Sequence, residues 1–187
     1  FAGFLGKTVD EWINGDSEAA AYAAAFGTSV AVDNKGNTKP TAFHFTAANQ
    51  QFLGTVELIR RLVDVDRASR ALFEDQTYES GPNLRWDPSA DRNWALMASN
   101  PNDDGTRVNA PLEWLAFRAL PMFPCFPQGT RVTTTAVTGR GDDMAFSWPL
   151  WAPAISLDTV LSVIRLPWAT SVEEAAAQRG VFAVCRA

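Results

Sequence analysis

An α+β fold with helices in the majority is predicted by three features of the sequence. Several stretches repeat apolar residues at three- and four-residue steps, as helices with one buried face do. Shorter stretches, above all around residues 130–150, alternate apolar with polar residues as half-buried strands do. Glycine, proline and asparagine punctuate the boundaries between the two kinds. The 187 residues read as one domain over 1–187, with 1–40 a candidate N-terminal subregion ahead of a turn-rich connector.

Each element has a local reason. "TVDE" offers Thr8 as a cap with Glu11 reaching back, the pattern of a capping box. An alanine-rich helix follows over about 18–26 and stops at Gly27. "VDNKGNTKP" (32–40) is a connector, and "TAFHFT" alternates as a short strand near 41–46 with Phe43 and Phe45 on one face. Phe45, Ala48, Phe52, Val56, Ile59 and Val63 then form the apolar stripe of the most periodic helix. Its polar face carries Asn49, Gln51, Glu57, Arg60 and Arg61. "DRASRALFED" (66–75) adds a short helix, and "APLEWLAFRAL" (110–120) is apolar nearly all round, a core helix that Pro121 ends.

Beyond Pro121, the prolines of "MFPCFPQG" predict a stiff, extended linker. "TRVTTTAVT" and "MAFSWPL" flank "GRGDD" as a β-hairpin near 130–150. Ser156 caps a helix over 156–164, and Ser171 with Glu174 repeats the capping box ahead of Gly180. "VFAVC" closes the chain as a C-terminal strand.

Composition narrows the function classes. No apolar run reaches the roughly 18 residues of a membrane span, and "FAGFLG" lacks the basic region and apolar core of a signal peptide. Cys125 and Cys185 lie far apart, which points to a reducing cytoplasm rather than a disulfide scaffold. With His44 the single histidine, a zinc site of ordinary nitrogen and sulfur ligands could not be completed. The net charge of −5 argues against general nucleic-acid binding, yet residues 60–140 hold ten arginines, no lysine and ten acids. Arginine suits phosphate and carboxylate, although a G+C-rich genome produces the same bias.

Catalytic signatures are scarce. His44 has no serine or cysteine nucleophile in a recognisable setting, and a strand histidine with ordinary hydrogen bonds is the better reading. Asp103–Asp104 and Asp142–Asp143 lie beside glycine in turn-like stretches, where aspartate serves the backbone. "RGD" at 140–142 sits in the same hairpin turn of a chain without secretory features. Cys125, between Phe123–Pro124 and Phe126, reads as a small buried hydrophobe. In "LRWDPSADRNWAL" (84–96), Asp87 and Pro88 form a good helix start. The interleaving of Arg85, Trp86, Arg92 and Trp94 would also suit stacking on bases and pairing with phosphates, although the helix start is the stronger reading of the residues alone.

"FHFTAANQQFLGTVE", "LRWDPSADRNWAL", "LEWLAFRALPMFPCFP" and "FSWPLWAPAISLDTVLSVI" together resemble, in this order, the large subunit of type I-G (formerly I-U) CRISPR effector complexes, of the Cascade kind. The resemblance runs from about Phe43 to Ile164, some two-thirds of the chain. It implies a non-catalytic role with other effector subunits, crRNA, target DNA and a helicase–nuclease as partners. It implies no cofactor, metal, small-molecule substrate or membrane. In such complexes guide pairing reads the sequence, while protein contacts read a short flanking motif and the backbone. The small size and acidic balance depart from the family's pattern. Under this resemblance Arg85 and Arg92, with Trp86 and Trp94, are the leading candidates for contacts to nucleic acid or a partner. Asn49, Gln51, Arg60, Arg61, Arg131 and Arg140 follow. A protein–protein adaptor without nucleic-acid contact is the alternative. A metal-dependent hydrolase using Asp103, Asp104 or Asp142 comes last.

Overall fold

The computed structural model describes residues 2–43, 51–74, 77–84, 86, 107–139, 143–166, 168 and 176–186. Over these residues the fold is α+β, with more residues in helices than in small antiparallel sheets. The chain divides into two compact units. One joins Phe1–Phe45 to Leu120–Ala187, and the other is the intervening Thr46–Ala119.

The first unit opens with α1 (Ala2–Ile13) and α2 (Ser17–Phe26). The capping box expected at Thr8 is not a helix start, because α1 begins upstream of it. Thr8 is buried inside the helix, and its hydroxyl donates to the carbonyl of Leu5 at 2.8 Å. Asp16 caps α2 instead, its carboxylate accepting from Glu18 N at 3.1 Å, and Gly27 ends it as expected. The connector closes on Asp33, whose carboxylate accepts from the backbone N–H groups of Lys35 and Asn37, both at 2.8 Å. Those bonds, with the side-chain amide of Asn37, hold Asp33 below the usual carboxylate range.

The strand expected near 41–46 is absent from its described start. Residues 41–43 form a turn, because the Thr41 hydroxyl donates to Ala25 O and accepts from Phe43 N. The rest of that stretch lies outside the described residues.

A single 3₁₀ turn at Leu120–Met122 re-enters the first unit. The proline-rich stretch that follows is not a linker. It forms β3 (Cys125–Gln128), paired antiparallel with β4 (Arg131–Thr134) across a tight turn at Gly129. Hydrogen-bonded and free pairs alternate in such a ladder. Pro127, one residue from the pair that closes the turn, therefore takes a position whose N–H would point away from β4. The hairpin expected near 130–150 is accordingly divided. β4 pairs backward with β3, and only β5 (Val137–Thr138) pairs with β6 (Ala145–Trp151). At the break, Thr135 donates its N–H and its hydroxyl to Pro124 O, at 3.2 and 2.7 Å.

β6 is central in the order β5–β6–β7, where β7 is Val181–Arg186. Pro149 is tolerated there because β5 is short. Ser147 N donates to Ala136 O on that side, and Pro149, two residues on, has no β5 partner to serve. Phe123 packs against Phe146 and Trp148, with ring centroids at 5.5 and 5.9 Å. α6 (Leu157–Ile164) begins at Ser156, whose hydroxyl oxygen accepts from Thr159 N at 3.3 Å. Buried Val163, Trp168, Ala176 and Val181 form a compact apolar cluster. The second capping box, at Ser171 and Glu174, lies outside the described residues.

Gly139 meets a steric demand in the β5–β6 turn. Its φ is +80°, and a Cβ there would come within 2.0 Å of the Asp143 carbonyl oxygen. Ala136 is the contrasting case, an alanine at φ 65°. The left-handed conformation costs an L-residue roughly 1–2 kcal/mol, and glycine gives back about 0.5–1 through its unfolded-state entropy. Ala136→Gly is therefore expected to raise stability by up to about 1 kcal/mol, read as a higher denaturant midpoint at unchanged slope.

The second unit contains α3 (Phe52–Leu62), α4 (Val65–Phe73), the short pair β1 (Glu79–Ser80) and β2 (Arg107–Val108), and α5 (Ala110–Ala119). The stripe of α3 buries Val56 and Ile59 as its spacing predicts, together with Leu84 and Ala110. Asp64 caps α4 by accepting from Arg67 N at 2.7 Å, and Asn109 caps α5 by accepting from Leu112 N at 3.1 Å. α5 is less enclosed than its apolar composition predicts, since Ala116 and Arg118 are exposed while charged Glu113 is 3% exposed.

Candidate nucleic-acid interface

Glu113 is buried because the backbone beside it supplies donors. Leu84 N donates to one carboxylate oxygen at 2.6 Å and Trp86 N to the other at 3.4 Å. The carboxylate thus ties the start of "LRWDPSADRNWAL" to α5. Trp86 is half-buried and packs on the α3–α5 cluster, its ring 5.9 Å from that of Phe52. Its indole is part of the unit's packing rather than a freely projecting base platform. Arg85, Arg92, Trp94, Asn49 and Arg140 lie outside the described residues, as do Asp103, Asp104, Asp142 and His44.

Arg60 and Arg61 stand in the last turn of α3, where cations also suit the helix dipole. Both are exposed, and both engage one acid. Arg60 forks onto Glu57 through Nε at 2.8 Å and Nη2 at 3.0 Å, and Arg61 Nε donates to Glu57 at 3.1 Å. Arg60 and then Arg61, by these bonds, lower the Glu57 carboxyl to about 2. Two guanidinium groups against one carboxylate leave a net positive spot with unused N–H donors. In solvent the pairing itself contributes little to stability. Gln51, exposed, precedes the same helix and makes no side-chain cap. Arg131 is exposed on β4, in the other unit.

The sequence reading passed over two further arginines, Arg67 and Arg70 on α4. They line a polar cleft of about 200 Å³ with Glu74, Thr77, Glu79 and Asn109. Arg67 pairs with Glu79 at 3.0 Å, while exposed Arg70 has no side-chain partner among the described residues. The legible signal was the i, i+3 arginine spacing in "DRASRALF" behind the Asp64 cap.

Among the described residues no group of three or more His, Cys, Asp or Glu could hold a metal ion. Burial raises the Cys125 thiol above its ordinary range. No described helix is long and apolar enough to cross a membrane. No family model, curated protein or solved structure matches the chain.

Proposed function

We propose that the chain is a non-catalytic subunit of a crRNA-guided CRISPR effector complex in the cytoplasm. In this reading it helps hold target double-stranded DNA, supports the R-loop and helps recruit the helicase–nuclease. The observation that carries the reading is the exposed guanidinium pair at the end of α3, balanced by the single carboxylate of Glu57. Exposed Arg70 on α4 extends the unit's phosphate-seeking surface. Such a surface binds backbone without reading sequence, which suits a complex in which the guide does the reading. The sequence resemblance supplies the partners, and Arg85 and Arg92 remain part of the proposed contact set.

The test is DNA binding by the complex purified with its natural partners. Arg60→Ala combined with Arg61→Ala is expected to weaken target binding and to reduce the log–log salt slope by about 2, roughly 0.9 per lost phosphate contact. Circular dichroism and the melting temperature should stay unchanged, because both side chains are exposed. Unchanged affinity together with an unchanged slope would sink the assignment. Recovery of the protein without CRISPR subunits or a uniform short RNA would sink the complex itself.

A protein–protein adaptor is favoured by a different observation. Leu58, Leu62, Val65, Leu72 and Phe73 are exposed on α3 and α4, at 41% to 84% of their surface. Scattered exposed apolar residues are common, but five of them on two consecutive helices suit a protein partner. Partner binding that persists at high salt would select this reading.

A further inference from the structure

The polar cleft of about 200 Å³ beside α4 lies within the unit Thr46–Ala119. α4 lends it Arg67, Arg70 and Ala71, and Glu74 follows as the C-cap with an extended backbone. Thr77 and Glu79 lead into β1, and Asn109 and Pro111 open α5. Arg70, Glu74, Thr77 and Glu79 are all exposed, so a ligand can reach their polar atoms.

Charge decides what kind of ligand gains there. Among the described residues two groups of each sign line the cleft, so it is neutral as a whole. Arg67 and Glu79 satisfy each other at 3.0 Å. Arg70 and Glu74 do not. Four residues separate them, a spacing that sets Cβ atoms about 5–6 Å apart on a helix. Neither has a side-chain partner among the described residues. A base four residues ahead of an acid is the poorer order for a helical pair, and Glu74 has already left helical backbone angles. A lone anion drawn to Arg70 is repelled by Glu74, and a lone cation meets the reverse. A molecule that carries both charges gains from both.

Asn109 supplies an independent observation. It lines the cleft and is 4% exposed. Its Oδ1 is spent on the cap of α5, accepting from Leu112 N at 3.1 Å. Its Nδ2 has no partner among the described residues, yet it is not sealed from solvent. A mostly buried donor with an unmet bond is a fixed point for an acceptor. The N-terminus of α5 beside it favours negative charge on that acceptor.

We propose that this cleft binds a free α-amino acid with a short side chain. Its carboxylate accepts from the Arg70 guanidinium and from Asn109 Nδ2, and its ammonium group donates to the Glu74 carboxylate. At about 30 Å³ per water-sized group, the space suits on the order of seven non-hydrogen atoms, a size between alanine and valine. The proposal does not rest on DNA binding, which Arg60 and Arg61 carry. An occupied cleft would withdraw Arg70 from phosphate.

Ligand-observed NMR titration of the full chain tests it with L-valine and two relatives that each lack one charge. Valinamide has no carboxylate, and 3-methylbutanoate has no ammonium group. L-valine is expected to saturate with a Kd on the order of 1 mM and to bind at least about fivefold more tightly than either relative. Arg70→Gln should lower the valine affinity to that of valinamide, and Glu74→Gln to that of 3-methylbutanoate. Asn109→Asp keeps an oxygen to cap α5 but sets a carboxylate against that of the ligand, so valine binding should fall at least about fivefold. Should Asn109→Asp melt at a lower temperature, the other two variants, which change exposed side chains only, still decide. Equal binding of all three compounds, no saturation by valine at tens of millimolar, or an unchanged valine affinity in Arg70→Gln or Glu74→Gln overturns the proposal.

Discussion

Trp168→Ala is expected to cost about 3–5 kcal/mol, the range for removing a fully enclosed aromatic side chain. Trp168 is 1% exposed, packs with Val163, Ala176 and Val181, and gives its indole N–H to Val163 O at 2.8 Å. Its carbonyl accepts from the Arg186 guanidinium at 2.6 Å, so the residue joins the end of α6 to β7 through side chain and backbone alike. The loss has two sources of unequal size. Trp168→Phe keeps most of the apolar bulk and loses only the indole hydrogen bond, since Val163 O still accepts from Leu166 N at 3.2 Å, and is expected to cost about 1 kcal/mol. Denaturant titration of both variants separates the terms. Equal losses would mean that the hydrogen bond, rather than packing, makes this residue important.

Glu113→Ala is expected to cost about 2–4 kcal/mol through a different mechanism. The backbone N–H groups of Leu84 and Trp86 both lose their acceptor in a buried setting, at about 1–3 kcal/mol each with partial relaxation. Glu113→Gln tests the cause. Its single carbonyl oxygen can serve one N–H, but its NH₂ group then meets the other N–H donor to donor, so an intermediate loss is expected. Near-ultraviolet circular dichroism of Trp86, packed on Phe52, should weaken in step. A Glu113→Gln variant as stable as the parent would show that shape rather than acceptor chemistry matters at this position.

The legible parts of the fold were those with local causes. Ser156 starts α6, Gly27 ends α2, and the spacing of Val56 and Ile59 marks the buried face of α3, because each signal acts within a turn or two of helix. β3 was missed because its prolines argue against pairing in general. Only its register with β4 shows that Pro127 needs no donor there. Thr8 matched a capping pattern that the helix overrode by starting earlier. The sites were less legible. Glu113 looks, like Arg118, to be a solvent-facing charge on an apolar helix, yet its partners lie 27 and 29 residues earlier in the chain. Arg60 and Arg61 were legible as a polar face, but their shared carboxylate was not singled out, although Glu57 lies on the same face.

The order of the two units along the chain also constrains how the protein is made. Thr46–Ala119 is continuous, so it can fold as soon as it leaves the ribosome. The other unit cannot, since α1 and α2 emerge first while β3 to β7 arrive only after the whole intervening unit has been synthesised. Closing a disordered chain of that length carries an entropic cost, and prior folding of the intervening unit lowers it by replacing the chain with a compact body. Until then the apolar side of α1 around Leu5 waits without the strands of its own unit. Chaperones that hold nascent chains would find a target in α1 and α2 for as long as the intervening unit is being made.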